Sequence, residues 1–173
     1  MIAYLDIETT GLSWHQSDIT VIGMALFEGL SLRDLSPSQK SFQVKQLVGQ
    51  DITVECLLAT LEGVEHLYTY NGKRFDIPFI EKKLHINLRA IPHTDLMFNC
   101  WKHHLKGGLK AVERRLNIRR QLPDVNGYLA VKLWWDYIND NDQEALTTLL
   151  EYNREDVVNL HALHVKLNTL NRA

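Results

Sequence analysis

Four acidic residues stand where an acid is costly to bury, and a tyrosine lies one helical turn before the last of them. Asp6 and Glu8 end the most apolar stretch of the chain, residues 2–7. At positions i and i+2 of a strand their side chains point to the same face. Two carboxylates side by side at a buried strand end repel each other, and burying each is unfavourable without a positive partner. A divalent cation resolves both problems; the alternative is that the strand stops before Asp6 and both acids are wet. Asp76 is set among Phe75, Ile77, Pro78 and Phe79, which suits either a ligand or a helix N-cap. Asp156 falls within the series Ala145, Leu149, Tyr152, Asp156, Leu160, Leu163, Leu167, a spacing of fours and threes that is one helix face. A carboxylate on a core stripe needs a hydrogen bond, an arginine or a cation shared with Asp6 and Glu8.

The elements that must position these groups follow from periodicity and turn residues. Strands are expected over 2–7, 19–27, 39–44, 65–70 and 90–94, the first three joined as a meander. Helices are expected over 51–62 with Asp51 as cap, 76–84, 95–104, 108–116 and 128–138, then from Asn141 onward. Asn141-Asp142-Gln143-Glu144 fits a capping box there. Strands first and helices later predict an α/β domain: a mixed five-stranded sheet flanked by helices, in one domain over 1–173.

Composition bounds the function. The 173 residues are 45% hydrophobic and 23% charged, which excludes disordered and fibrous classes. No run approaches membrane-spanning length, and the first residues lack the basic segment of a signal peptide, so no membrane partner and a cytoplasmic site are expected. Cys56 and Cys100, without a CxxC, exclude a disulfide framework and a cysteine zinc site. The net charge of −2 hides a basic stripe. Between Trp101 and Arg120 stand seven Lys and Arg and one acid, Glu113. Such a stripe on an acidic body suits either a polyanion groove beside a cation site or a solvated helix face.

Three motifs together resemble the DEDD (DnaQ-like) 3′–5′ exonuclease superfamily on the ribonuclease H-like fold. They are D-I-E-T-T-G-L at 6–12, N-G-K-R-F-D at 71–76 and Y-N-R-E-D at 152–156, the last being the tyrosine (DEDDy) variant. The segment 105–160 further resembles the YprB-like branch. The resemblance implies that Asp6, Glu8, Asp76 and Asp156 hold two divalent ions, Mg²⁺ or Mn²⁺, and that Tyr152 orients the attacking water. It implies 3′–5′ hydrolysis of nucleic acid from a single-stranded or frayed 3′ end, with single-stranded DNA favoured and RNA possible. Repair, RNA maturation and proofreading are equally compatible.

Thr9, Gly11 and Leu12 stand in the second half of the first motif, and the resemblance implies nucleotide contacts there; the plain reading is a turn. Asn71 and Phe75 are nucleotide contacts or turn and core, with core preferred for Phe75. Lys106, Lys110, Arg114 and Arg115 are the candidates for tracking phosphates. Asp95 reads as a cap, and His161-x-x-His164 as ordinary polar positions. Trp135 with Tyr128, Val131 and Ile138 reads as a core stripe, leaving Trp134 free to stack. Two other functions use the same residues: a structure-selective or RNA-directed endonuclease, and a non-catalytic nucleic-acid-binding module.

Overall fold

The first strand runs on past the acids. In the computed structural model, which describes residues 1–28 and 42–171, β1 spans Ile2–Thr9 and includes both Asp6 and Glu8. It lies at the centre of a five-stranded sheet with β2 (Ile19–Phe27), β3 (Phe42–Val48), β4 (His66–Thr69) and β5 (His93–Asp95), in the order β3-β2-β1-β4-β5. The meander β1-β2-β3 is antiparallel, whereas β4 and β5 run parallel to β1. The expected β3 shifts toward the C-terminus, and residues 39–41 lie outside the described residues. The last strand moves likewise, from 90–94 to His93–Asp95.

A central strand has two faces to bury, and β1 divides them by parity. Ala3, Leu5 and Ile7 pack with α1 (Val54–Leu61) and α2 (Asp76–Leu84), through Leu57, Leu61, Phe79 and Ile80. Ile2 and Tyr4 face the other helices: α3 (Leu96–Lys102), α4 (Leu109–Arg115) and the long α6 (Gln143–Leu170). Asp6 and Glu8 continue that second parity, so they are aimed at α6. The sheet is thus covered by helices on both sides.

Helix α6 has 28 residues, and all seven positions of its 4-3-4-4-3-4 stripe are buried. Burying a leucine contributes roughly 1.5–3 kcal/mol, so Leu149, Leu160, Leu163 and Leu167 fix the rotation that carries Tyr152 and Asp156 inward. Its cap is Asp142, whose side chain accepts from the amides of Glu144 and Ala145; the expected box based on Asn141 does not form. Helix α1 is capped by Thr53, not Asp51, which ends a short 3-10 turn.

Helix α5 (Gly127–Asp140) corrects an expectation. Tyr128, Trp135 and Ile138 are exposed, at 85%, 44% and 49%, while Ala130 is buried with Leu129, Leu133 and Trp134 against it. This helix is apolar on two faces, so periodicity alone cannot choose between them. The contact with α6 selects the face through Ala130, and Trp134 is the packed tryptophan. The histidine pair is corrected as well. His164 Nδ1 lies 2.9 Å and His161 Nδ1 3.2 Å from the Tyr4 hydroxyl, inside the core. Burial lowers both histidines to about 4, so they are neutral packing groups at neutral pH. Among the described residues, no helix is long and apolar enough to cross a membrane.

Candidate active site

Carboxylate oxygens of Asp6, Glu8 and Asp156 all lie within 4.8 Å of one another. Two come from the central strand and one from the helix across it, 148 residues further along than Glu8. The wet alternative for the first pair is thereby excluded: the strand continues through Thr9, and Glu8 is only 7% exposed. Asp76 approaches the same strand from α2. It is buried, and its Oδ1 accepts the Ile7 amide at 3.1 Å. It does not cap α2, whose N-cap Phe75 makes no side-chain bond.

Burial and mutual repulsion shift these acids upward. Asp6 and Glu8 are held well above the usual carboxylate range, first by desolvation and then by the charges of Asp156 and Asp76. Desolvation raises Asp76 to about 7. It raises Asp156 to about 6, with Arg120 opposing the rise. A folded state that raises acid pKa values binds more protons than the unfolded chain, so its stability falls as pH rises through that range. The metal-free protein is therefore expected to melt at a lower temperature at pH 8 than at pH 6.5. A divalent ion held by these carboxylates would favour their ionised forms and restore the loss at pH 8. Thermal melts in EDTA and in Mg²⁺ check this; equal melting temperatures at the two pH values in EDTA would contradict the cluster's repulsion.

Neutral groups hold the acids in place. Asn153, fully buried on α6, donates from Nδ2 to Asp6 Oδ2 at 3.3 Å, and Gln46 of β3 donates to Asn153 Oδ1 at 3.0 Å. Gly23 pairs with Asp6 across β1-β2, and a Cβ there would sit 2.0 Å from Asn153 Oδ1. Only glycine leaves Asn153 room to reach the acid. Asp95 does more than cap α3 through the Met97 amide. It also accepts from the amides of Asn71, which has φ 64, and Lys73, and so pins the turn leading to Asp76. Asn153 and Gln46 carried no signal in periodicity; the Y-N-R-E-D motif does contain Asn153.

A cavity of about 680 Å³ opens onto Asp6 and Asp156, lined also by Asn71, Lys110, Arg114 and Tyr152 among others. Tyr152 is buried, and its phenol is pushed far upward by desolvation and by the charges of Asp156, Glu8 and Asp6. Lys110 Nζ lies 4.9 Å from the centre of its ring. Lys106 and Arg115 are exposed and do not line this cavity. Thr9 Oγ1 donates to the Gly11 carbonyl at 2.7 Å, forming the turn, and Leu12 is 89% exposed beyond it. Phe75 packs into the core with Phe79.

Arg120, one of the seven basic residues of the stripe, turns inward. Its Nη2 donates to Asp156 Oδ1 at 2.6 Å, and its Nη1 donates to both oxygens of the fully buried Glu113. Asp156 thus has an arginine partner and acidic neighbours at once. The stripe is not one continuous groove lining.

Comparison with known proteins agrees with this architecture. The chain is 34% identical over 116 residues, 61% of its length, to the "Uncharacterized protein YprB" of Bacillus subtilis (strain 168), and spans about 28% of that protein. Among solved structures it superimposes on Brucella melitensis NrnC bound to pGG with a TM-score of 0.62 at 20% identity, covering 99% of this chain and 74% of NrnC. The family B DNA polymerase from the hyperthermophilic archaeon Pyrobaculum calidifontis gives a TM-score of 0.65 at 14% identity, covering 98% of this chain and 24% of the polymerase. These two likenesses show a shared ribonuclease H-like fold. Residues 3–168 match the RNase H superfamily, and the chain belongs to it.

Proposed function

We propose that the chain is a metal-dependent 3′–5′ exonuclease of the DEDDy type, acting on a single-stranded or frayed 3′ end. The convergence of Asp6, Glu8 and Asp156 from two distant elements is the observation that carries this reading. The donor set fits the expected ions. All four candidate ligands, with Asp76, offer carboxylate oxygens, which suit Mg²⁺ or Mn²⁺ rather than zinc. Asp6, Glu8, Asp76 and Asp156 would hold two such ions. When bound, a pair of this kind supplies an activated water and stabilises the leaving alkoxide.

The rest of the chemistry falls to the chain itself. Tyr152 keeps its proton at neutral pH, because burial beside carboxylates disfavours the phenolate. It therefore positions the water by hydrogen bonding and does not serve as base. Lys110, Arg114 and Asn71 line the cavity; the two cations would take the phosphates, and Asn71, with Thr9, Gly11 and Leu12 from outside that lining, would meet the terminal nucleotide. Lys106 and Arg115, outside that lining, would track strand further away. That NrnC has been seen bound to pGG supports a nucleotide ligand for this fold. Tyr152→Phe is expected to retain Mn²⁺ binding and lose about 10²-fold in turnover, within the range for a positioned proton-handling group. Unchanged turnover would remove Tyr152 from the mechanism.

Polarity is tested with a 5′-labelled single strand and a circular strand of the same sequence. The reading expects a ladder shortening from the 3′ end and an intact circle. A cut circle would favour the endonuclease.

A further inference from the structure

A cation and two aromatic rings stand together beside the cavity that holds the acids. The Arg74 guanidinium carbon lies 5.5 Å from the ring centre of Phe98 and 5.5 Å from that of Trp101. The two rings meet edge to face, with centres 5.2 Å apart. Phe98 packs against the core, whereas Trp101 is 38% exposed and Arg74 is exposed. Among the described residues Arg74 makes no ion pair. Asp95, which pins the same turn, has both oxygens taken by the amides of Asn71, Met97 and Lys73.

Both halves of this cluster are built on elements that also line the cavity. Asn71 lines it, and Arg74 closes the same turn, its amide donating to the Asn71 carbonyl at 3.1 Å. Gly72 keeps that turn tight, because a Cβ there would meet Thr69 Oγ1 at 2.3 Å. Met97 lines the cavity as well, and Trp101 follows it four residues later on the same side of α3. That is about 6 Å further along the helix axis. A stacked strand rises about 3.4 Å per nucleotide, so the offset corresponds to about two nucleotides.

Resting on the nucleic-acid reading above, we propose that Arg74 and Trp101 form a stacking platform for an unpaired base about two nucleotides in from the terminal one. The indole and the guanidinium both offer flat faces on which any base can stack. Phe98 supports the arginine from beneath through its ring face. A base inside a duplex already has both faces covered by its neighbours and must be unstacked to reach the platform. The cluster therefore favours single strand over duplex, and it does so through bases and not only through phosphate charge.

The test is fluorescence anisotropy in EDTA, where cleavage plays no part, with labelled single strands of two and of eight nucleotides. Wild-type protein is expected to hold the longer strand more tightly. Trp101→Ala and Arg74→Ala should each lose about tenfold on the longer strand and stay within about twofold on the shorter, and Trp101→Phe should keep most of the affinity. A longer strand made abasic beyond its two 3′-terminal nucleotides should bind wild type and variants alike. No loss on the longer strand, equal losses on both lengths, or a loss that persists on the abasic strand would overturn the platform, as would a wild-type protein that binds neither length. Wild-type protein that binds as expected but leaves both strands uncut in Mn²⁺ would overturn the exonuclease reading and leave the platform standing.

Discussion

Asp6→Asn is expected to abolish cleavage and at the same time to raise the melting temperature of the metal-free protein. The two effects have one cause. Asp6 is held far above its ordinary pKa by burial and by the charges of Asp156, Asp76 and Glu8, so its ionised form destabilises the empty fold. Asparagine keeps the shape and the hydrogen bond with Asn153 Nδ2 and removes the charge. Relieving a buried, repelled charge stabilises by about 1–3 kcal/mol, which for a domain of this size is several degrees at pH 8. Lost ion binding costs several kcal/mol of transition-state stabilisation, or about 10³-fold in rate. The stabilisation should shrink as the pH is lowered and wild-type Asp6 takes up its proton. Thermal melts in EDTA at pH 8 and 6.5, beside a cleavage assay, check both halves. A variant that is inactive and less stable at pH 8 would mean that Asp6 is a structural acid.

Arg120→Ala should have the largest effect on stability of any single change near the site. It strands Glu113, which has no exposure, and removes the partner of Asp156. Breaking a buried ion pair from one side costs about 3–5 kcal/mol, because the remaining charge is left without compensation. That corresponds to about 10 °C in melting temperature for a chain of this length. Glu113→Gln added to the arginine variant should recover most of the loss. Chemical denaturation of the two variants measures the difference; an Arg120→Ala protein within about 1 kcal/mol of wild type would show that the network is solvated.

The site was legible where long periodic elements carry it. Seven α6 positions at helical spacing placed Tyr152 and Asp156 on the inner face, and the two acids of β1 shared parity with Ile2 and Tyr4. Sequence left open what depends on distant partners. Arg120 reads as a member of a basic stripe, and only the placement of Glu113 and Asp156 turns it inward. The buried face of α5 could not be chosen from two apolar faces without α6. Gln46, Asn153 and Gly23 hold Asp6 by contacts across β3, α6 and β2, which no local pattern records. His161 and His164 look polar in sequence and become core groups because both meet the Tyr4 hydroxyl.

The most direct measurement is a gel time course with 5′-labelled single-stranded DNA and RNA of matching sequence, in Mg²⁺, Mn²⁺ or EDTA, with Asp6→Asn in parallel. The account predicts cleavage that needs a divalent ion and is absent in the variant, with the better-cut strand naming the preferred sugar. Cleavage that persists in EDTA, or equal cleavage by the variant, would contradict it.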